Sequence, residues 1–394
     1  MEEIQKKKVN IRKLNFYNAT LPVLSEVFSQ KDWVFYGENN VYPNFLIGQY
    51  NNCAIHKAIV QSKVSQIVGD GLSCKNNPMA TVHLVNRNEN IEEVYKKCAL
   101  DLVLFGGFSL NVVWKRDRNE GIAEIHHLDF SRVRCGKIED IEESDEVDRY
   151  YYSPDWGNTR KYKPTEYPAF DRESSDPSQI LYVKSYQPSN DYYPSPDYSG
   201  ALAAIDISIE IQNFHKNNLK NGMMPTLFIG FNNGVPGPEE QTIITRALEE
   251  SYSGSDNAGR AVISFNESKE TAPTVESIAP NGSDNYYTTI YEDIIRSILS
   301  GHRVSSGELF GISTAGKLGS ANEILEHSEF FRNTVVKAYI KELLPTFNKL
   351  MSLKFQEPII LKVDPLTILD VANISVVDEI KQPTEVAEVK QEIL

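Results

Sequence analysis

The segment YSGALAAIDISIEIQNFHKNNLKN, Tyr198–Asn221, decides how the rest of the chain is read. Ile205, Ile207, Ile209 and Ile211 alternate with Asp206, Ser208 and Glu210, the period-two pattern of a strand with one buried face. Length overrides the alternation. The run has no internal turn signal and far exceeds an ordinary strand of about 5–6 residues. Its opening Ala201-Leu202-Ala203-Ala204 and its close at Asn221-Gly222 suit a helix with a glycine stop. Wound as a helix, the isoleucines fall on two faces, and a helix apolar on two sides needs two neighbours. A ring of identical subunits supplies them. Ile205, Ile207, Ile209, Ile211 and Phe214 are therefore candidate residues of an interface between copies.

Upstream, Ile55, Ile59, Val60, Val64, Ile67 and Val68 recur at helical spacing from Asn52 to Val68, and Gly69-Asp70-Gly71 ends the run. A second helix is predicted from Asn90 to Leu104, stopped by Gly106-Gly107. Phe108, Leu110, Val112 and Trp114 then alternate as a strand that turns at Arg116–Gly121 into Ile122–Leu128, a hairpin packed on helices. Glu139–Asp148 reads as a solvated acidic loop, because its spacing matches no Ca²⁺ loop. Tyr150–Ser153 and Ile180–Tyr186 read as sheet edges. Downstream of the deciding segment lies a small αβ module: strand Thr226–Phe231, helix Pro238–Tyr252 and strand Arg260–Phe265. A helix from Asp284 to Ser300 follows, and a long one from Ala321 to Leu353 is expected to kink at Pro345. Pro358–Leu394 holds a strand and an acidic tail.

The chain has 394 residues, enough for two or three parts, since single cores stop growing near about 250–300 residues. No apolar run reaches the roughly 20 residues of a membrane span, and the N-terminus lacks a signal-peptide core, so a cytoplasmic protein is expected. A net charge of −14 argues against a tight grip on nucleic acid but suits a conduit along which DNA slides. Cys53, Cys74, Cys98 and Cys135 form no C-x-x-C pair and are expected to be buried free thiols.

Gly311-Ile312-Ser313-Thr314-Ala315-Gly316-Lys317 fits G-x-x-x-x-G-K, yet Leu318 stands where a phosphate-binding loop needs the Mg²⁺-binding hydroxyl. Gly307-Glu308-Leu309-Phe310 makes a poor strand, and Gly319-Ser320 delays the helix that should receive phosphates. The stretch reads instead as a glycine-rich loop between helices. His126-His127-Leu128-Asp129 raises a metal site, but adjacent strand residues point to opposite faces and no second His or Cys cluster joins them. No metal or cofactor is expected, and no acid, base or nucleophile can be assigned.

Several segments resemble tailed-bacteriophage portal proteins. They are Asn51–Val60 continuing to Val68-Gly69-Asp70-Gly71-Leu72, Asp101–Leu110, Ile122–Arg134, Asn257-Ala258-Gly259-Arg260, and His302-Arg303-Val304 before Leu309-Phe310-Gly311-Ile312. The resemblance covers most of Tyr42–Leu353. It implies an α+β portal fold: an N-terminal arm and α/β wing over 1–199, stem helices at 200–221 and 282–303, and a clip at 222–281. A tunnel loop at 304–320, a wing spine helix at 321–357 and a reduced crown with tail at 358–394 complete it. Ser305, Ser306, Gly307, Ser313, Thr314, Gly316, Lys317 and Gly319 would then be candidates to face DNA.

The resemblance implies a dodecameric ring at one capsid vertex of the virion, assembled in the host cytoplasm. Double-stranded DNA would be packaged through it by terminase and ejected into the tail. Implied partners are other copies of the chain, the terminase large subunit, the major capsid and scaffolding proteins and a head–tail adaptor. Such a protein is structural and carries no catalytic residues. Two rival readings are an ATP-dependent nucleic-acid enzyme using Gly311–Lys317 and another phage head-completion or adaptor protein.

Overall fold

A computed structural model describes residues 21–138, 146–220, 228–231, 237, 239–240, 242–243, 262–265, 283–311 and 321–366. Strands β1 (Glu26–Phe28) and β2 (Val34–Tyr36) form an antiparallel pair ahead of helices α1 (Tyr42–Asn52) and α2 (Ala54–Val68). Helix α1 was not foreseen. It starts at a proline in its first turn, where a missing N–H costs nothing. Strand β3 (Gly71–Cys74) and the short α3 (Met79–Val82) lead to α4 (Ile91–Phe105). Asn90 caps α4 by accepting from the Glu93 N–H while the Glu93 carboxylate accepts from the Asn90 N–H, both at 2.9 Å.

The expected hairpin forms from β4 (Gly107–Trp114) and β5 (Ile122–Leu128). It is followed by β6 (Val133–Cys135), β7 (Arg149–Tyr152), β8 (Thr165–Pro168) and β9 (Ser178–Lys184). Two three-stranded sheets result, in the orders β5-β4-β9 and β6-β7-β8. Strand β9 is an edge, as expected, but β7 is central. Its tyrosines Tyr150 and Tyr151 are buried because β6 and β8 flank them on both sides.

The deciding segment forms α5 (Leu202–Lys220), introduced by a single 3₁₀ turn at Ser199–Ala201. Strands β10 (Phe228–Phe231) and β11 (Val262–Phe265) form a parallel pair. Of the predicted helix Pro238–Tyr252, residues 239–240 and 242–243 are helical and the remainder lies outside the described residues. Helix α6 (Ser283–Gly301) packs against α5. The long helix predicted from Ala321 is three pieces: α7 (Ala321–Phe331), a π-helical turn at Arg332–Val336 and α8 (Lys337–Phe355). Pro345 sits inside α8, and the departure from α geometry comes earlier, at the π turn, where Thr334 Oγ1 donates to the Phe330 carbonyl at 2.8 Å. Strand β12 (Leu361–Asp364) runs antiparallel to β3, which joins the far end of the chain to the end of α2.

One core runs through α2, α4, β4, β5 and α8. It includes all four cysteines, which are buried free thiols. A buried cation anchors the N-terminal strand pair. Arg134 on β6 is fully buried without a carboxylate partner. Its guanidinium donates to Asn40 Oδ1 and to the carbonyls of Asn40, Ser131 and Val133 at 2.6–2.8 Å, and it lies over the Tyr36 and Trp156 rings. Burial lowers its pKa, with neighbouring tyrosines opposing.

Gly69 ends α2 at φ +64°, where a Cβ would lie 1.9 Å from the Asp364 carbonyl oxygen. That same oxygen accepts from the Asp70 N–H at 2.9 Å. Gly69→Ala should therefore both strain the backbone and push β12 off β3. A loss of about 2 kcal/mol or more is expected by urea unfolding, against little change for a control at Gly48, which has open space around it.

Candidate functional site

Four elements meet where the α5/α6 pair joins the body. On α2, positions 56, 59, 60, 63, 64 and 67 share the apolar face, and two of them are His56 and Lys63. Both are fully buried. The stretch before α5 brings Asp197 and Tyr198, the end of α6 brings His302 and Arg303, and α8 brings Tyr339.

Asp197 sits between two cations: Lys63 Nζ at 3.1 Å and Arg303 at 2.9 Å, both on the same carboxylate oxygen. Burial alone would raise its pKa, but Lys63, Tyr339 and Arg303 outweigh it and hold the carboxyl below its ordinary value. Lys63 is lowered by burial, with Asp197 opposing. Beside this knot the His56 Nδ1 and His302 Nε2 atoms lie 2.9 Å apart, so one ring donates and the other accepts. Tyr198 packs on both rings and donates its hydroxyl to the Leu104 carbonyl at 2.8 Å. Burial pushes His56 down to about 3, and Lys63 adds to the effect. His302 is held well below its ordinary range by burial, then by Lys63 and His56.

The crossing of the two helices is tight. A Cβ on Gly301 would lie 2.4 Å from the Ala201 Cβ, so α6 reaches the start of α5 only because position 301 is bare. A cleft of about 290 Å³ opens beside the knot, lined in part by Ser185, Tyr186, Asp197, Arg303, Tyr339 and Glu342. Its carboxylate at Glu342 accepts from Ser185 Oγ at 2.6 Å.

The arrangement ties four elements together. Asp197 is neutralised by two cations, the histidine pair has no carboxylate to orient it, and among the described residues no cluster of three metal-ligating side chains occurs. His126 and His127 separate as expected, His126 to Glu124 at 2.9 Å and His127 to the buried Asp101 at 2.8 Å. No described helix is long and apolar enough to cross a membrane.

The sequence-predicted residues divide. Ile205 is fully buried inside the chain's own core, and Ile209 and Ile211 are half-buried against it. Ile205 is thus withdrawn as an interface residue: α5 turns it toward α6 and the body, beside the buried Leu202 and Ser208. Ile207 is 47% exposed and lies across the helix with Ala203 and Ile211. The Phe214 side chain lies outside the described residues. Of the loop candidates, Ser305 is exposed, Ser306 half-buried, and Gly307 buried at the start of a 3₁₀ turn that ends on Gly311 at φ +71°. Ser313, Thr314, Gly316, Lys317 and Gly319 lie outside the described residues. The motif is preceded by a 3₁₀ turn rather than a strand, and the next helix among the described residues begins at Ala321. Sequence reasoning missed the Lys63–Asp197–Arg303 knot, although two polar residues seven apart on an apolar helix face were its signal.

Residues 60–386 match the family model described as phage portal protein. This chain belongs to the phage portal protein family. The portal fold is shared with chains in two solved assemblies. In the neck of an empty gene transfer agent particle the likeness has a TM-score of 0.53 at 18% identity, and in the virion of the native particle 0.52 at 17%. Each covers 86% of this portal chain and 87% of the other. A curated relative, an uncharacterized protein from Rickettsia bellii (strain RML369-C), is 28% identical over 88 residues, 22% of this chain and 23% of that protein's length.

Two outcomes test the knot. Asp197→Asn leaves Lys63 buried without a counter-charge and should cost about 3–5 kcal/mol in denaturant unfolding. The histidines make stability depend on pH. Unfolded imidazoles take up protons below about 6.5, whereas the buried pair resists, so the unfolded state binds more protons between that value and about 3. Their contribution is complete above about pH 6.5 and is lost as pH falls. The thermal midpoint should drop more between pH 7 and pH 5 for the native chain than for a His56→Asn/His302→Gln double variant.

Proposed function

We propose that this portal chain assembles with copies of itself into the ring-shaped channel at one capsid vertex, through which double-stranded DNA enters and leaves. The observation that carries the reading is α5, which buries one face in its own chain and keeps a second stripe around Ile207 uncovered. In a ring each copy presents that stripe to the next, and the contact repeats until the circle closes. Ile207 and Ile211 remain its candidate residues.

The ring is a dodecamer in the virion, assembled in the host cytoplasm on capsid and scaffolding proteins. Terminase supplies the energy for packaging, and a head–tail adaptor binds the finished vertex. Within each copy 1–199 and 321–357 form the wing and its spine, 200–221 and 282–303 the stem, 222–281 the clip, and 358–394 a reduced crown. Residues 304–320, with Lys317, face DNA. The acidic chain suits this role, since a net charge of −14 keeps the channel from holding phosphate tightly. The portal does no chemistry of its own.

Ile207→Asp tests the stripe. In the isolated chain the change should stay within about 0.5 kcal/mol, because the site is half in solvent, whereas in a ring it strands a carboxylate between copies. Electron microscopy should show rings for the native chain and monomers for the variant. Normal rings from Ile207→Asp would refute this contact. ATP hydrolysis by the native chain that vanishes in Lys317→Ala would replace the structural reading with an enzymatic one.

A further inference from the structure

Helix α7 is thinly supported by its own chain. Its neighbours are the 3₁₀ turn at Gly307–Phe310 and the π turn, and Phe331, packed edge-on to Phe310 with ring centroids 5.4 Å apart, is its one buried side chain among those described. It is the leading end of a helix that runs on through the π turn into α8, and this end has little packed face of its own. On its outward side Glu326, Glu329 and Phe330 stand at i, i+3 and i+4, so they form one surface. All three are exposed, Phe330 at 58%. Neither glutamate has an ion-pair partner among the described residues.

The following helix carries the opposite charge. On α8, Lys337 and Lys341 stand one turn apart on an exposed face, again without an ion-pair partner among the described residues. The chain thus presents an acidic surface with an exposed aromatic ring on α7 and a basic surface on α8.

We propose that the acidic face of α7, Glu326, Glu329 and Phe330, docks on the Lys337/Lys341 face of α8 in the neighbouring copy of this chain. The contact is heterologous: each copy offers both faces to two different neighbours, the geometry that closes into a ring. It buries Phe330 and pairs four charges that a single chain leaves in solvent. Exposed ion pairs are individually weak and screened, so the contact acts through its repetition and weakens with salt. This inference rests on the ring reading above and adds a second contact to the α5 stripe.

Charge reversal tests it. Ring dissociation on dilution is followed by analytical ultracentrifugation in about 0.1 M salt, where screening is moderate. Glu326→Lys/Glu329→Lys and, separately, Lys337→Glu/Lys341→Glu should each raise the dissociation concentration by about tenfold or more. The quadruple variant carrying all four reversals should restore it. Circular dichroism and thermal midpoint of each variant check that the subunit still folds. If the native chain forms rings but a folded double reversal does not weaken them, or the folded quadruple variant does not regain them, the α7–α8 pairing is overturned while the ring stands. If the native chain forms no rings at any salt or concentration, the ring reading and this contact fall together.

Discussion

Asp197, clamped between Lys63 and Arg303, is the contact on which the placement of the α5/α6 pair depends. Lys63 is wholly buried, and an ammonium out of water is tolerated only with a carboxylate in the right place. That requirement ties α2 to the segment entering α5, and Arg303 ties the same carboxylate to the end of α6. A hydrophobic contact would let the helix pair slide or roll with little penalty. A pair built on a wholly buried ammonium does not, because small displacements leave the Lys63 charge uncompensated. The histidine pair and the bare Gly301 against Ala201 add distance constraints of the same kind. The two helices that join the body to the β10/β11 strand pair therefore share a fixed root.

The body uses a parallel device where β6 meets the N-terminal strand pair. Arg134 has no carboxylate, yet four acceptors from Asn40, Ser131 and Val133 and two aromatic faces hold it. Glu26 plays the complementary part, accepting the N–H groups of Asp191, Tyr192 and Tyr193 just ahead of the Asp197 knot. The N-terminal strands are thereby fastened to the approach to α5. Buried charge, placed at the junctions between elements, decides where the elements sit, and the apolar core decides only that they pack.

Much of this was legible in the sequence where one physical signal dominated. The helical period and glycine stop gave α2, the alternation from Phe108 gave β4, and length correctly overrode the isoleucine alternation in α5. The losses have identifiable causes. Helix α1 is short and carries its apolar residues without clear period. Strand β7 looks like an edge because tyrosines suit edges, but its burial depends on pairing with two strands that are not contiguous with it in the chain. Proline in α8 is a strong local signal, whereas a π turn has none. The knot was the most instructive loss. His56 and Lys63 stand out on α2, but Asp197 and Arg303 lie far along the chain, and only the fold brings them together. Of the GxxxxGK stretch, the described residues show the 3₁₀ turn that leads into Gly311, consistent with Gly307–Phe310 making a poor strand.

A subunit that must fold before it assembles faces competing demands, and α5 and α7 show how they are met. Large uncovered apolar surface would aggregate the free chain, and each contact proposed above is small: a stripe around Ile207 and a single ring at Phe330 among charges. Small contacts are weak one at a time. Closure compensates, because the last contact in a ring forms between chains already held near each other, at high effective concentration and with no further loss of translational freedom. An open chain of the same copies lacks that final contact and comes apart more easily. In the ring proposed above, weak, repeated, charge-guided contacts reconcile a free subunit with a stable assembly, provided the angle between neighbouring copies is fixed. In that ring the angle would follow from how α5 and α6 are rooted in each subunit, where the wholly buried Lys63 holds Asp197 and the half-exposed Arg303 closes the knot.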